Sequence, residues 1–585
     1  MVNKKQDPQN KSPACSRHPD EANRKRAEPT AKSPSRRGFL KTASGASVFS
    51  AATSLGLGGL LAVPAQVQAS GTGQSRLDQR RQDAFQIRMQ TARFHRLRDD
   101  YPNHKDNGDE TRYTDRRASF FKCLPQNDLG EVDGDAYRLY RKALYSGKPA
   151  DFERIPLSPE AARRLANPQA AYAFDLMGSD SWTTALPPAP AFASAENAAE
   201  IGEAYWQALA RDVSFTDYPW DATTVAAIAD LNSSFSDIRA PICGGQITAE
   251  TLFRGGIRGD MSGPYLSQFL WYDVPYGLSL IEQRYPIPVA DLDYMTDYGE
   301  WLAIQRGADS RSEVVFDNTP RYLHNGRAVS AYVQKDTLFQ AFFNAALIID
   351  RFGPDALDAS NPYLHSANQE GFATFGSSHL YDMVIRAARL GLEAAWFHKW
   401  LVHRRLRPEV FAGRVQNQLE GFKDYDVHPD ILASAAIDRL RARYGNALLP
   451  QAYPEGSPTH PSYPAGHSAA SGACATVLKA FTNEDFIIPE PVQASADGLS
   501  LQPWIGSELT LGDEINKLAS NIIMARCHAG VHYRSNGKGL AVGEAMAIGM
   551  LQDYSLTFNE HSDGFTLTTF DGKRLRIVNG KVKRA

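Results

Sequence analysis

Ser457-Pro-Thr-His-Pro-Ser-Tyr-Pro-Ala-Gly-His-Ser468 is a proline-rich segment that leads directly into a run of small residues, Ala469 to Thr476. The small residues predict a tightly packed helix over 466–481. A Gly-His pair at the start of a helix leaves free backbone N–H groups, with an imidazole beside them, at the positive helix end. Such an end suits an oxyanion. Taken alone, the segment is equally typical of a rigid loop capped by His467.

Upstream of this segment, an apolar stripe predicts a long core helix. Apolar residues recur every three or four positions, after a Ser377-Ser378 N-cap signal, at Leu380, Met383, Val384, Ala387, Ala388, Leu392 and Ala395. Pro408 sets the limit of the helix. The stripe runs into Lys399, which opens the basic segment Lys399-Trp-Leu-Val-His-Arg-Arg-Leu-Arg-Pro408. A buried lysine needs a partner, although a lysine near a helix end can also reach solvent.

A second cation lies on a buried stripe downstream. Arg526 follows Ile522 by four residues, on the stripe that starts at Ile515, so its side chain points toward the core. Gly530 allows the helix to break, which lets His532 turn back toward the same centre. A zinc site at His528 and His532 is disfavoured because no Glu follows His528.

These segments together supply cations and imidazoles but no clustered Asp or Glu. They contain Lys399, Arg407, Arg526, His467 and His532. Because unpaired buried cations are costly, a compact tetrahedral oxyanion such as phosphate or vanadate is the simplest neutralising partner.

The rest of the chain predicts a mainly α protein with one small β element. Further helices are expected at 330–351, 512–529 and 539–552, and a C-terminal β-hairpin is expected to join 565–570 to 574–578 through Asp571-Gly572. We divide the chain into an N-terminal signal, 1–69, a partly helical segment, 70–199, and a helical-bundle catalytic body, 200–585. The site falls within 396–536.

Composition and charge exclude several classes of function. The chain has 585 residues with 43% hydrophobic side chains and a net charge of −3, which gives no basic field for nucleic acid. No Gly-rich phosphate loop occurs. Cysteine spacings exclude zinc-ribbon and c-type haem motifs and leave the disulfide pairing open.

The first 69 residues have the form of an export signal. Ser35-Arg-Arg-Gly-Phe-Leu-Lys41 precedes an uncharged run, and Val67-Gln-Ala69 is a small-x-small cleavage site. Glycines, serines and Pro64 make the run too weakly apolar for a stable membrane span. We therefore expect export by the twin-arginine route to the periplasm or the exterior.

The combined motifs resemble those of the vanadium-dependent haloperoxidases, which share a helical bundle and an oxyanion site with the phosphatidic-acid-phosphatase type 2 superfamily. The pattern is Lys, Arg-Pro, Pro-x-Gly-His and Arg-x5-His. The eight-residue spacing from Lys399 to Arg407 and the upstream His460 are most similar to the bromoperoxidase branch. Residues 255–269 and the C-terminal hairpin also resemble that branch, so the likeness covers residue 90 to the end.

The resemblance implies a cofactor and a role for each site residue. Vanadate would be bound through vanadium by His532, and its equatorial oxygens would be held by Lys399, Arg407, Arg526 and the Gly466 N–H. His467 would act as the acid–base group beside the apical oxygen, and His460 would contribute on the halide side. Lys399 would polarise hydrogen peroxide, so that halide, with bromide preferred, becomes hypohalous acid that halogenates small organic acceptors. The branch also implies a homo-oligomer.

Two positions depart from the family pattern. Ala465 replaces a serine and removes one hydroxyl donor to the oxyanion, and Asn536 replaces an aspartate four residues after His532. Two alternative functions follow. One is an acid phosphatase in which His532 forms a phosphohistidine and His467 protonates the leaving group. The other is a non-catalytic oxyanion-binding or assembly protein.

Trp396 stands three residues before Lys399 on the same predicted helix. We expect its ring to lie beside the lysine and to form one wall of the halide site.

Overall fold

The computed structural model describes residues 71–97 and 101–585. Packing divides the chain into two units, of which the first ends at Gln86 and the second is Ile87–Ala585. In the first unit, the described residues form the beginning of helix α1, Gly71–Leu97. The predicted signal, 1–69, lies outside the described residues.

The second unit is mainly α-helical, as the sequence predicts. After α1, the helices of the described chain are α2 Asp109–Arg112, α3 Gly134–Ser146, α4 Pro149–Phe152, α5 Ala195–Leu209, α6 Ala222–Ser233, α7 Tyr298–Gln305, α8 Gly326–Lys335, α9 Gln340–Ile349, α10 Ser377–Phe397, α11 Pro408–Leu419, α12 Pro429–Leu432, α13 Ala435–Tyr444, α14 Gly466–Phe481, α15 Leu511–His528 and α16 Gly539–Tyr554. Among the described helices, none is both long and apolar enough to cross a membrane.

The described chain also contains short antiparallel strands. Their bounds are β1 Val274–Tyr276, β2 Ser279–Ile281, β3 Val492–Ala494, β4 Leu501–Pro503, β5 Phe565–Thr568, β6 Arg574–Val578 and β7 Lys581–Arg584. Strands β1 and β2 pair with each other, as do β3 and β4, and β5–β6–β7 form one sheet. The predicted C-terminal hairpin is confirmed as β5 and β6. The turn Asn579-Gly580 adds β7, which the sequence analysis missed.

Helices α10, α14 and α16 pack against one another in the centre, and α15 packs against α14. The approach is close because small residues line the contacts. A Cβ on Gly543 would lie 1.8 Å from the Ala469 carbonyl oxygen, and one on Gly391 would lie 2.5 Å from the same atom. The backbones of α10 and α16 therefore touch α14 directly, which fixes the start of α14 within the bundle.

Helix α10 confirms the predicted core stripe and ends in an unexpected way. Its N-cap is Gly376, one residue before the predicted serine pair. At the other end, His398–His403 forms a π-helix, and Arg404 then adopts a left-handed backbone with φ 41°. This wider turn carries Lys399 and leads to Pro408, the first residue of α11. Short π segments of this kind occur often at functional sites.

The prediction of one helix over 330–351 is wrong. Helix α8 ends at Lys335 and α9 begins at Gln340. Asp336 stands at the break with an extended backbone, and Thr337 follows it. The Asp336 carboxylate bonds the distant His467, and the Thr337 N–H bonds the Gln340 side chain, so the polar groups at the break have partners outside a continuous helix. The other predicted helices agree with α14, α15 and α16 to within two residues.

Helix α5 spans position 200, where the sequence analysis separates an N-terminal segment from the catalytic body. The helix is almost wholly buried and contacts α12, α13 and α15. Residues on both sides of position 200 belong to the Ile87–Ala585 unit. The four cysteines of the predicted mature chain form no pairs among themselves, because Cys123, Cys474 and Cys527 are free and buried.

Candidate functional site

The three motif segments meet in one buried place. The π-helix after α10 brings Lys399, the N-terminus of α11 brings Arg407, and the C-terminal part of α15 brings Arg526. The start of α14 faces them with Gly466 and His467. The turn after α15 brings His532, which is 2% exposed.

Lys399 is fully buried and bonds only to backbone oxygens. Its Nζ donates to the carbonyl oxygens of Pro461 at 2.8 Å and Ser462 at 3.0 Å. Burial lowers the pKa of Lys399 well below its usual value, and repulsion by Arg407 and Arg526 lowers it further. A negative group close to Nζ would stabilise the charged form of this lysine.

Arg407 connects the two histidines that border the pocket. One terminal nitrogen donates to Nε2 of His532 at 3.0 Å and the other to Nδ1 of His460 at 2.9 Å. Nε donates to the His460 carbonyl oxygen at 2.9 Å. Burial, followed by repulsion from Arg526, lowers the pKa of Arg407 to about 9.

Arg526 approaches from α15 and keeps one donor unused. A terminal nitrogen donates to the Val333 carbonyl oxygen at 2.9 Å and to the Tyr453 hydroxyl at 3.3 Å. Its buried Nε has no hydrogen-bond partner within the described chain. An orphaned donor on a buried guanidinium indicates a missing acceptor.

No carboxylate of the described residues lies within ion-pair distance of Lys399, Arg407 or Arg526. All three side chains are at most 5% exposed. Three buried cations that repel one another need an anion, and a tetrahedral oxyanion accepts several charge-assisted hydrogen bonds at once. The residues present therefore fit vanadate, and phosphate equally well.

His532 has its ring orientation and tautomer fixed by Asn536. The Nδ1–H donates to Oδ1 of Asn536 at 2.9 Å, an assignment that follows from the hydrogen-bond network. The same oxygen accepts from Ser462 Oγ at 2.8 Å and from the Tyr533 N–H at 2.9 Å. The lone pair of Nε2 therefore faces the cations. Burial, then the charges of Arg407 and Lys399, lower the pKa of His532 well below its usual value, so the imidazole is neutral.

His467 is partly exposed and pairs with a residue that the sequence analysis missed. Its Nε2 lies 3.1 Å from Oδ1 of Asp336. This aspartate occupies the break between α8 and α9, where the sequence predicted a continuous helix. Because a carboxylate accepts, the ring donates through Nε2–H, an assignment that follows from the hydrogen-bond network, and Nδ1 takes no part in this contact.

The start of α14 has no side-chain cap. Ala465 occupies the N-cap position and is fully buried. The hydroxyl of Ser468 does not replace the missing serine, because it bonds the carbonyl oxygens of Ala465 and Asn536 at 3.1 and 2.9 Å. Gly466 leaves its N–H open, and a Cβ there would lie 3.1 Å from Leu392.

Trp396 and His460 form the outer edge of the pocket. Their ring centroids are 4.7 Å apart with a 46° interplanar angle, and both side chains are partly exposed. The indole N–H donates to the carbonyl oxygens of Ala166 and Asn167 at 3.3 and 3.2 Å. Trp396 thus lies against His460, and its position at the pocket edge is held by the 166–167 backbone.

A helical bundle that gathers three buried cations, a helix N-terminus and a neutral imidazole defines an oxyanion-binding protein of the haloperoxidase and acid phosphatase class. Comparison with known proteins identifies the family within this class. The family model for the VCPO second helical-bundle domain matches residues 394–560. The vanadium-dependent bromoperoxidase of Ascophyllum nodosum is 36% identical over 488 residues, which cover 79% of this chain and 87% of that protein.

A second relative and a solved structure agree with this match. The vanadium-dependent bromoperoxidase of Corallina pilulifera is 32% identical over 545 residues, covering 79% of this chain and 91% of that protein. The homohexameric structure of the second vanadate-dependent bromoperoxidase from Ascophyllum nodosum superposes with a TM-score of 0.81 and 28% identity, over 91% of this chain and 96% of that one. The chain belongs to the vanadium-dependent haloperoxidase family, and the predicted fold is confirmed.

Proposed function

We propose that this chain is a vanadate-dependent haloperoxidase that oxidises halide, bromide above all, with hydrogen peroxide to hypohalous acid. The acid then halogenates small organic acceptors. One observation carries the proposal: Lys399, Arg407 and Arg526 are buried together without a carboxylate, around the Nε2 lone pair of His532. The relatives named as vanadium-dependent bromoperoxidases support it.

The residues of the pocket divide into those that hold the anion and one that binds the metal. Lys399, Arg407, Arg526 and the N–H of Gly466 would hold oxygens of vanadate, and Nε2 of His532 would ligate vanadium. When bound, vanadate supplies a Lewis-acid centre at which hydrogen peroxide is activated for attack by halide. The Asn536 amide keeps His532 in the required tautomer, as an outer ligand usually does in metal sites.

His467 would handle protons for the reaction. Overall, bromide gives two electrons to peroxide, the O–O bond breaks, and one proton is consumed as hypobromous acid and water form. Asp336 holds Nε2 of His467 at 3.1 Å, so Nδ1 can accept a proton from the incoming peroxide and return it to the departing oxygen. The partial exposure of His467 gives this proton a path to solvent.

The outer edge of the pocket suits a weakly hydrated anion. The ring of Trp396 contacts His460 at a tilt of 46°, and the Lys399 Nζ lies within hydrogen-bonding reach of the Pro461 and Ser462 carbonyl oxygens. An indole offers an apolar wall whose ring edge is partly positive, which gives a partly dry surface for such an anion. Bromide and iodide lose water more easily than chloride, so we propose them as the preferred halides.

The purified full-length protein tests the function directly. We expect peroxide-dependent bromination of a phenolic dye to disappear after dialysis against chelator and phosphate, and to return with added vanadate. Full activity in vanadium-free protein, or a stoichiometric iron content, would contradict the proposal. Hydrolysis of a phosphomonoester without any bromination would instead support the acid phosphatase, which the Asn536 amide disfavours because it makes His532 a weaker nucleophile. Neither activity would support the non-catalytic alternative.

We further propose that the protein is exported and forms a homo-oligomer. The twin-arginine pattern at 35–41 and the cleavage site at 67–69 support export, and the homohexameric solved relative supports self-association. N-terminal sequencing of protein recovered from the periplasm or medium should begin at Ser70. A cytoplasmic protein that retains Met1 would contradict export.

A further inference from the structure

The β1–β2 hairpin exposes an unusual number of apolar side chains. Leu278 stands fully exposed at its tip, and Tyr276, Leu280 and Ile281 are 57%, 54% and 45% exposed. All three residues of β2 are exposed. Turn tips normally carry Gly, Asn, Asp or Ser, because these residues fit the backbone and water. Gly277, with φ 60°, meets the backbone need, so Leu278 has no local reason to be apolar.

The outer edge of β2 is open. The sheet has two strands, in which Tyr276 faces Ser279 and Pro275 faces Leu280. In a two-residue hairpin, the pair next to the turn is hydrogen-bonded and the following pair is not. The N–H and C=O of Leu280 therefore point away from β1, toward the free edge. The opposite edge of the hairpin, formed by β1, is protected against strand pairing, because Pro275 has no N–H to donate to a further strand.

This free edge lacks the usual protection against strand pairing. Native edge strands carry lysine, proline or a bulge that blocks a further strand. Strand β2 has Ser279, Leu280 and Ile281, without a charge or a proline. An exposed apolar edge of this kind, with an apolar tip beside it, is typical of an interface.

We propose that β2 pairs antiparallel with β2 of a second copy of this chain, around a two-fold axis at Leu280. An antiparallel strand paired with itself is self-complementary, which a two-fold interface requires. With Leu280 opposite Leu280 of the second copy, Ile281 faces Ser279 and Glu282 faces Leu278. The two Glu282 carboxylates are then kept apart, and the two-stranded hairpins become one four-stranded sheet.

A second copy is the occupant that the other findings favour. The solved relative with a TM-score of 0.81 over 91% of this chain is a homohexamer, and a closed hexamer can contain two-fold contacts. This interface deepens the homo-oligomer of the proposed function by naming its contact surface. Its test measures mass and cross-linking, so it can fail while the haloperoxidase proposal holds.

Leu280→Cys in the full-length protein gives the decisive test. Residues opposite each other in a hydrogen-bonded antiparallel pair have Cα atoms about 5.5 Å apart, within the range that a disulfide bridges. We expect mild oxidation to yield a covalent dimer on a non-reducing gel. Leu176→Cys, at another highly exposed leucine, is the matched control and should stay monomeric on the gel. The native thiols of Cys123, Cys474 and Cys527 are buried.

Leu280→Lys supplies an independent measurement. It should lower the oligomer mass seen by light scattering at least twofold, whereas Leu176→Lys should not, and bromide oxidation per subunit should persist in both. The proposal is overturned if Leu280→Cys forms no dimer, or if Leu280→Lys keeps the full mass with a normal circular dichroism spectrum. A cross-link within one chain, to the N-terminal segment, would also overturn it, because that segment would then cover the edge.

Discussion

Two arginines three residues apart, Arg404 and Arg407, are both buried and have opposite surroundings. Arg404 donates to both carboxylate oxygens of Glu110, at 3.0 and 2.6 Å. Arg407 bonds only carbonyl oxygens and imidazoles. Burial alone lowers an arginine pKa, but Glu110 raises that of Arg404, while that of Arg407 falls to about 9. A built-in counterion therefore separates Arg404 from Arg407, which lies beside two further unpaired cations, Lys399 and Arg526, where a ligand anion fits.

Among the residues of the ligand pocket, His532 should have the largest effect on vanadate binding when it is replaced. His532→Ala should abolish vanadium retention, because it removes the imidazole nitrogen assigned to the metal, and His460, the other imidazole that accepts from Arg407, lies at the pocket edge. His467→Ala should keep vanadium but lose most peroxidase turnover. Metal analysis after gel filtration, combined with dye bromination, distinguishes the two variants. Equal vanadium in wild type and His532→Ala would contradict the assignment.

The two arginines can be exchanged for glutamine to compare them directly. Arg404→Gln leaves the Glu110 carboxylate with only the Tyr137 hydroxyl and the longer Arg141 contact at 3.6 Å, and it should lower the free energy of unfolding by up to about 3–5 kcal/mol. Arg407→Gln removes a charged hydrogen bond to the anion, worth about 1.5–3 kcal/mol, and should weaken vanadate about 10- to 100-fold. Vanadate-free Arg407→Gln should be at least as stable as wild type. Denaturant unfolding and vanadate titration measure both, and equal destabilisation by the two changes would remove the distinction.

The lowered pKa of Lys399 predicts a pH dependence with a definite sign. Between that pKa and the ordinary value of 10.5, the unfolded chain binds more protons than the folded protein. The vanadate-free protein should therefore gain stability as pH rises through this range, while its affinity for vanadate falls. Denaturant unfolding at pH 7 to 10 should show this slope in wild type, and Lys399→Met should flatten it. An unchanged slope in Lys399→Met would assign the effect to another group.

A smaller effect is expected where α14 lacks a cap. Ala465→Ser adds a hydroxyl donor and should tighten vanadate binding up to about tenfold, as one charged hydrogen bond allows. Ser468→Ala is the control and should leave the affinity unchanged, because that hydroxyl bonds two carbonyl oxygens. Equilibrium titration with vanadate measures both. A loss of affinity in Ser468→Ala would reverse their roles.

The smallest effect should come from the pocket edge. Trp396→Ala opens the wall beside His460 and should change the bromide-to-chloride rate ratio severalfold, with little effect on vanadate affinity. Steady-state rates with each halide provide the measurement. If the ratio stays fixed while thermal stability falls, Trp396 only packs against the 166–167 backbone.

The periodicity of apolar residues predicts the central helices α10, α14, α15 and α16 and two cations of the site. A stripe that ends in Lys399, and another that includes Arg526, place both cations in the interior by residue spacing alone. The break at Asp336 escapes the same reasoning, because the residues around it keep helical spacing. Its partner His467 lies 131 residues away, so no local signal connects them.

The counterions of the buried arginines cannot be predicted from the sequence either. Glu110 lies 294 residues before Arg404, and Glu200 lies 205 residues before Arg405. The basic segment therefore presents three arginines that look alike, although two are paired within the protein and one is left for the ligand. Only the tertiary structure makes that division, because it depends on which distant carboxylate reaches which guanidinium.

The π-helix at His398–His403 determines which of the following arginines reaches the pocket, so this assignment depends on the number of residues in the turn. A π turn holds about one residue more than the α turn it replaces, so deleting one residue from it would restore α-helical winding. Each residue of an α-helix advances the chain by about 100° and 1.5 Å, and the following arginines would shift by that amount. With a shift of one position, Leu406 or Pro408 would take the place of Arg407, and the pocket would lose one cation. Single-residue insertions and deletions here thus act on ligand recognition, while substitutions on the outer face of the same turn leave it intact.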